Sequence, residues 1–342
     1  MQQQAQSMAK DLMTALREDR KSETGSDLFR SIIFMVLAAG VLWFALKKKI
    51  NITVAAITLT VLCLIDLMGV DTRYLNSTDF MDKEEVSNLF TPSAADEQIM
   101  KDPDHANFRV FNQSGNYTNE SVTSYHHNSI GGYHPAKLGL YQDLIEHQIT
   151  KGNVNVFNML NTKYIITQGA NGQPMAQVNP YAYGTCWLVK GIKWVKTPNE
   201  EMLALDSTNL RDTAVINESF KSSISAAPQA DSTASIKIIS RENDAIKYES
   251  SAATPQFAVF SEIYYNRGWD AFIDGKKTNY AKVNYVLRGI ALPAGKHTIE
   301  FKFEPRAYYT GNTISFWCAL LVYLLLAAGL FFLLKKSKGS QL

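Results

Sequence analysis

The side chains best suited to binding a ligand are concentrated in one short stretch, residues 124–141. They comprise three imidazoles, a lysine and a tyrosine: His126, His127, His134, Lys137 and Tyr141. Gly131 and Gly132 lie among them, and a pair of glycines lets the backbone approach a ligand closely. A helix is predicted over residues 135–149, and the N–H groups of its first turn would attract a phosphate. The stretch is therefore a candidate site for a sugar or a phosphate.

Two other interpretations of this stretch remain open. The histidines could cap and pack an ordered loop without contacting any ligand. They could also be metal ligands, but no carboxylate stands at a persuasive spacing from His126, His127 or His134, so no metal and no other cofactor is predicted. The net charge of +2 gives no reason to expect a nucleic-acid partner.

A second group of polar and aromatic residues follows in the last third of the chain: Tyr264, Tyr265, Arg267, Trp269, Asp270, Asp274, Lys276 and Arg288. Asp270 and Asp274 resemble the paired carboxylates of a glycosidase. Asp274 precedes Gly275, however, and an Asp-Gly pair indicates a hairpin turn that this side chain would help to form. Trp269 is expected to be a core residue rather than a platform for a sugar ring. No catalytic residue is predicted in this chain.

Three long apolar stretches must position these residues, at 28–46, 52–70 and 313–334. Each is about long enough to cross a membrane as a helix, which takes about 20 residues. Lysines directly follow the first and the third stretch, and short basic loops of this kind mark the cytoplasmic side. The segment between the second and third stretches is therefore predicted to face the exterior.

The exterior segment is predicted to hold two domains. Helices alternate with short strands up to residue 217, and a Ser- and Ala-rich linker follows. Residues 257–305 then alternate as strands with one apolar face. The partner sheet for that face is expected from residues 235–240 and 245–249.

The fold class is thus an α+β membrane protein with three transmembrane helices, an exterior mixed α/β domain and an antiparallel β-sandwich. The predicted segments are an amphipathic interfacial segment (1–27), two transmembrane helices with a short cytoplasmic loop (28–70), an exterior α/β domain (71–217), an exterior β-sandwich domain (218–312), a third transmembrane helix (313–334) and a cytoplasmic tail (335–342).

Several ordered segments of the chain resemble one family, the YfhO-like bacterial multi-pass membrane proteins. The matching segments are Ser129–Lys137 (SIGGYHPAK), Asn158–Ile166 (NMLNTKYII), Phe260–Tyr265 (FSEIYY) with Gly268 and Trp269, Ile273–Gly275 (IDG), Val283–Arg288 (VNYVLR) and Pro293–His297 (PAGKH). The resemblance covers nearly the whole chain, and the chain is similar to only the C-terminal portion of the long family members.

The resemblance implies a protein similar to the GT-C class of glycosyltransferases in the bacterial inner membrane. Such enzymes transfer a sugar from a polyprenyl-phosphate donor on the outer face of the membrane, and characterised relatives modify cell-envelope polymers. The catalytic acid of that class lies in an N-terminal region that this chain does not resemble, so the chain alone is expected to be inactive.

The chain is then expected to supply exterior domains that hold the substrate. Its partners would be membrane lipid, a polyprenyl-phosphate-linked sugar, an envelope glycan acceptor and the N-terminal transmembrane part of the same protein. The residues expected to face the ligand are His126, His134, Lys137 and Tyr141, the lysine toward a phosphate and the aromatics toward sugar. The alternative is a non-catalytic, membrane-anchored binding or assembly module of the cell envelope.

Overall fold

The computed structural model describes the backbone of residues 2–339 and the side-chain environments of residues 10–332. Residues 340–342 of the predicted tail lie outside the described part. The chain divides into two compact units, residues 1–88 and 89–342, and each is described by itself.

The first unit is built on two long helices, α1 (Gln2–Leu46) and α2 (Ile52–Tyr74). A 3₁₀ turn (Ser77–Asp79) and a short helix, α3 (Lys83–Leu89), follow. The amphipathic segment predicted at 1–27 is not separate, because α1 runs without a break from it into the first apolar stretch. The residues there are mostly good helix formers and include no proline, and Gly25 lies within α1 without ending it.

Ion pairs tie α1 to α2. Asp66 on α2 lies 3.2 Å from Arg30 on α1, and Arg73 lies 2.8 Å from Asp27. Ionisable groups in apolar helices are costly unless they pair, and these pairs satisfy that requirement from within the two helices.

Three helices of the described chain are long and apolar enough to cross a membrane: Lys10–Leu46, Ile52–Asp79 and Arg306–Phe332. They contain the three stretches predicted at 28–46, 52–70 and 313–334. The prediction of three spanning helices is therefore confirmed in length and composition.

The second unit contains the mixed α/β part, all the described strands and the last long helix. Its helices are α4 (Ala94–Met100), α5 (Val122–His126), α6 (Gly139–Leu144) continuing as a π turn (Ile145–Ile149), α7 (Val154–Met159), α8 (Pro198–Ser207) and α9 (Arg306–Gly339), with 3₁₀ turns at His105–Asn107 and Glu218–Ser223. Its strands are β1 (Arg109–Asn112), β2 (Thr162–Gln168), β3 (Pro174–Val178), β4 (Cys186–Val189), β5 (Gly191–Val195), β6 (Thr213–Asn217), β7 (Ser235–Arg241), β8 (Ala245–Ala252), β9 (Gln256–Ile263), β10 (Trp269–Ile273), β11 (Lys276–Thr278), β12 (Ala281–Val283), β13 (Leu287–Leu292) and β14 (Gly295–Phe303).

These strands form three sheets within the described residues. The smallest has the order β1-β2-β3, with β1 parallel to β2, and it shares a small core with α4. A five-stranded antiparallel sheet has the order β11-β10-β14-β8-β7, and a six-stranded sheet has the order β4-β9-β13-β12-β6-β5.

The two larger sheets pack face to face as a sandwich. Its core includes Tyr248 and Phe301 from the five-stranded sheet and Phe260 and Ile290 from the six-stranded sheet, all of them almost fully buried. The predicted partner sheet was wrong in part: β7 and β8 lie in the layer opposite β9, β12 and β13, but they share their sheet with β10 and β14. The chain crosses between the two layers after β6, β8, β9, β11 and β13. The six-stranded sheet is also mixed rather than antiparallel, because β5 and β6 run parallel.

The predicted division at residues 217 and 218 is corrected by the same sheet. Strands β4, β5 and β6 come before that point, yet they share a sheet with β9, β12 and β13, which come after it. Trp187 and Val215 from one side pack in a single core with Val259 and Val283 from the other. The Ser- and Ala-rich segment is therefore a connection within one body and not a boundary between two cores.

The Asp274-Gly275 hairpin is confirmed. Both residues adopt positive φ, 51° and 77°, between the paired strands β10 and β11. The Asp274 carboxylate also accepts the N–H of Thr298 at 2.9 Å and contacts His297 Nδ1 at 2.6 Å. This aspartate therefore shapes the hairpin and joins it to β14.

Candidate functional site

Three of the four predicted ligand-facing residues line one cavity. His134, Lys137 and Tyr141 surround a space of about 410 Å³, which we call the loop cavity, together with Tyr133 and Arg109. The fourth residue, His126, lines a separate cavity of about 470 Å³. Tertiary structure therefore brings most of the predicted site together and separates one member from it.

The loop that carries His134 and Lys137 is irregular. The helix predicted to begin at Pro135 begins at Gly139, because a turn precedes it in which the Ala136 N–H donates to His134 Nδ1 at 3.1 Å. The predicted phosphate site at a helix N-terminus at Pro135 is therefore corrected. The accepted hydrogen bond places the proton of a neutral His134 ring on Nε2, where it is available as a donor.

The two glycines pack closely on the preceding backbone, and both also line the loop cavity. A Cβ atom on Gly131 would overlap the carbonyl oxygen of Tyr117, and Gly132 adopts φ of +97°. The Gly132 N–H donates to the same carbonyl at 2.6 Å. The glycine pair thus lets the loop lie directly on the preceding backbone, which positions Tyr133 and His134 at the cavity.

Tyr141 holds the loop from the other side. Its hydroxyl donates to the carbonyl of the buried residue Ile130 at 2.8 Å, and burial raises the pKa of Tyr141 to about 12. The hydroxyl proton is therefore committed to the loop, and only the ring of Tyr141 is offered to the cavity.

Changing Tyr141 to phenylalanine is expected to lower the free energy of unfolding by about 1–3 kcal/mol, because the buried Ile130 carbonyl loses its partner. Urea unfolding of the full chain in detergent, followed by tryptophan fluorescence, measures this difference. Tyr133→Phe is the matched control, since the Tyr133 side chain is 67% exposed. Equal stability of the two variants would contradict this role of the Tyr141 hydroxyl.

Lys137 differs from these structural residues. It is partly exposed, and it forms no ion pair or side-chain hydrogen bond with any described residue. Its ammonium group, the Nε2 donor of His134 and the exposed ring of Tyr133 are therefore available to a ligand in the loop cavity, which the ring of Tyr141 and the guanidinium group of Arg109 also line.

His126 belongs to a histidine cluster that is largely structural. The neighbouring His127 is buried between Asp96, whose Oδ1 lies 3.0 Å from His127 Nε2, and His105, whose Nε2 lies 2.9 Å from His127 Nδ1. Hydrogen bonds from His127 and Ser93 lower the pKa of Asp96 to about 2, against the effect of burial, which alone would raise it. Within the described residues, no group of three or more His, Cys, Asp or Glu side chains is arranged to hold a metal ion.

The structure also separates the members of the second set of polar and aromatic residues, between Tyr264 and Arg288. Asp270 pairs with Lys277 at 2.6 Å and Asp274 forms the hairpin, so these two carboxylates have separate structural contacts. Trp269 and Arg288 instead line a third cavity of about 440 Å³, which we call the arginine cavity.

Sequence reasoning missed two residues that matter most in the arginine cavity. Arg109 and Glu262 line it, and Arg109, Leu138 and Ile263 are shared with the loop cavity, so the two spaces adjoin. Arg109 opens β1 as an isolated basic residue, which carries no pattern. Glu262 is a charged residue inside the buried strand β9, and that contrast is the signal that would have revealed it.

One known protein family matches part of the second unit. The model of the family described as "Bacterial membrane protein YfhO" matches residues 201–315, which run from α8 through every later strand into the start of α9. No curated protein and no solved structure matches the chain significantly. The family match over residues 201–315 supports the assignment of this chain as YfhO-like, and the three apolar helices agree with a membrane protein.

Proposed function

We propose that this chain is part of a GT-C-like membrane glycosyltransferase and that its globular part holds a sugar-bearing substrate in the loop cavity. The observation that carries the proposal is the set of uncommitted groups around that cavity: the Lys137 ammonium, the His134 Nε2 donor and the Tyr133 ring. Sugars are recognised by such a combination, because aromatic rings stack on their C–H faces while charged and polar groups bond their hydroxyls. A volume of about 410 Å³ is within the range of small-molecule sites.

The membrane helices support an exterior position for this site. Lys47, Lys48 and Lys49 lie directly between α1 and α2, and basic residues in short loops favour the cytoplasmic side. The segment that follows α2 would then face the periplasm or the cell exterior from the inner membrane. There the site would meet a polyprenyl-phosphate-linked sugar and an acceptor polymer of the cell envelope, with catalysis assigned to another part of the protein.

A non-catalytic binding module is the second candidate. The contacts of Asp270 and Asp274 favour it, because these carboxylates serve an ion pair and a hairpin and do not face each other across a cavity. Such a module would use the same loop cavity to bind envelope glycans, so the binding test below applies to both candidates. Loss of glycosyl transfer in cells that lack the protein would favour the glycosyltransferase, and unchanged transfer would favour the module.

Changing Lys137 to alanine is expected to weaken sugar binding by about 10-fold or more, because hydrogen bonds from charged groups are the stronger contacts of such sites. The melting temperature of the Lys137→Ala variant should stay close to that of the unchanged protein, since Lys137 has no ion pair within the described residues. Saturation-transfer NMR with a panel of hexoses and N-acetylhexosamines measures binding. The full chain is held in octaethylene glycol monododecyl ether, a detergent with neither sugar nor phosphate.

The matched control is Lys276→Ala, which removes an exposed lysine from β11, outside both cavities. A second variant, His134→Ala, should also weaken binding. A large fall in the melting temperature of Lys137→Ala would assign Lys137 to structure, and saturable binding that neither cavity variant alters would overturn the proposed site.

A further inference from the structure

Arg288 is a buried arginine without a matching acceptor. It lies in β13, where every residue is buried, and its own exposed fraction is 3%. Its hydrogen bond within the described residues runs from Nε to the Ile263 carbonyl at 3.1 Å, and its Nη1 atom is buried without a partner. The guanidinium group also lies 4.3 Å from the centre of the Trp269 ring, on the wall of the arginine cavity.

Such a charge is costly unless an anion accompanies it. A buried guanidinium stays protonated, so it cannot avoid the cost by losing its charge. Burial lowers the pKa of Arg288, and the nearby Glu262 carboxylate acts in the opposite direction. Glu262, however, forms its ion pair with Arg241, so it does not satisfy the Nη1 atom of Arg288.

Arg109 brings a second guanidinium to the same cavity. Its Nη1 atom donates to the Leu160 carbonyl at 2.8 Å and to Ser261 Oγ at 2.9 Å, which fixes the group against β9 and the turn after α7. Its other two guanidinium nitrogens donate no hydrogen bond to a described residue. The two arginines are close enough for the charge of Arg109 to lower the pKa of Arg288.

We propose that the arginine cavity is a binding site for a phosphate group, held between Arg288 and Arg109 beside the ring of Trp269. Two guanidinium groups from different strands offer more donors than the two oxygens of one carboxylate can accept, whereas a phosphate presents oxygens on several sides. Two arginines face one carboxylate here, and that carboxylate is itself paired with Arg241. The cavity is therefore positive and suits an anion.

This inference rests on the proposed function for the rest of the ligand, because the loop cavity adjoins the arginine cavity through Arg109, Leu138 and Ile263. A phosphate held by the arginines would place an attached sugar toward His134 and Lys137. The phosphate site is nevertheless tested separately, with inorganic phosphate and without any sugar.

The test is calorimetric titration of the full chain with inorganic phosphate, in octaethylene glycol monododecyl ether at constant ionic strength. Arg288→Met should weaken phosphate binding at least about 30-fold, because the variant removes the buried charged donor. Arg288→Lys keeps the charge without the fork of donors and should weaken binding less. Arg267→Met is the matched control, since Arg267 is exposed and lies outside the residues that line the cavity.

Thermal unfolding of the unchanged protein gives a measurement that does not depend on the folding of a variant. Phosphate should raise the melting temperature, and chloride or acetate at the same ionic strength should not. Absence of saturable phosphate binding, equal binding by Arg288→Met and the unchanged protein, or an equal response to acetate would each overturn the proposal.

Two competition experiments identify the kind of molecule that carries the phosphate. Competition by phosphatidylglycerol added to the micelles, but not by glycerol 3-phosphate, would assign the site to a lipid head group. The reverse result would assign it to a soluble or polymer-borne phosphate. The two sites are also tested against each other. Lys137→Ala should lose sugar binding and retain phosphate binding, and Arg288→Met should lose phosphate binding and retain sugar binding.

Discussion

Changing Lys282 to methionine is expected to lower the free energy of unfolding by about 3–5 kcal/mol at pH 7.5. The Lys282 ammonium lies 2.6 Å from the carboxylate of Glu201, a residue with no exposed surface. The same carboxylate accepts the N–H of Tyr285 at 3.0 Å. Removing the lysine leaves a buried negative charge without its counter-ion, at the point where α8 meets β12.

The loss should depend on pH in a defined direction. Burial raises the pKa of Glu201 even in the presence of Lys282, and without Lys282 the pKa of Glu201 should rise further. A carboxyl with a higher pKa in the folded state holds a proton that the unfolded state has released, so stability falls as the pH rises through that interval. Lys282→Met should therefore be more stable at pH 5 than at pH 7.5.

Urea unfolding at the two pH values measures this effect, and a double variant supplies the control. Glu201→Gln combined with Lys282→Met removes both charges while the glutamine carbonyl still accepts the Tyr285 N–H. Most of the lost stability should return, and the dependence on pH should disappear. A single Lys282→Met variant within about 0.5 kcal/mol of the unchanged protein would show that the pair contributes little.

Changing Gly131 to alanine is expected to lower the free energy of unfolding by about 3 kcal/mol and to abolish sugar binding in the loop cavity. The added Cβ would overlap the Tyr117 carbonyl oxygen, which is a backbone atom and has no rotamer to change. The loop must therefore move away from Tyr117, and this movement displaces Tyr133 and His134 from the cavity.

The control for this variant lies eight residues further along the chain. Gly139 begins α6, and a Cβ atom there would meet no other atom within 4 Å. Gly139→Ala should leave binding intact and raise stability by up to about 1 kcal/mol, because alanine favours the helix. Melting temperature and saturation-transfer NMR report both quantities, and normal sugar binding by Gly131→Ala would refute the role of this close packing.

The segment that matches the YfhO family, residues 201–315, contains several of the buried charged residues described above. Glu201, Lys282 and Arg288 all lie within the matched residues, whereas the loop cavity is built mainly from residues before them. The two candidate cavities therefore meet where the matched segment contacts the preceding α/β part. A ligand bound across both would contact residues inside and outside the match.

Local features of the sequence determined the elements themselves. Apolar length predicted the three spanning helices, Asp274-Gly275 predicted its hairpin, and Thr197 with Pro198 led to a helix that begins at Pro198. Each depends on residues close together in the chain, where hydrophobic period, turn chemistry and capping act directly.

Only the tertiary structure decided which elements pair and which side chains meet. Cys186 pairs with Phe260 across the six-stranded sheet, and no local pattern indicates a partner so distant in the chain. That pairing joins residues on both sides of the predicted domain boundary in one sheet, and the folding of the chain brings Arg109 on β1 and Arg288 on β13 to the same cavity. Local periodicity shows that a strand needs a partner, but the choice of partner depends on how all the apolar faces are buried together.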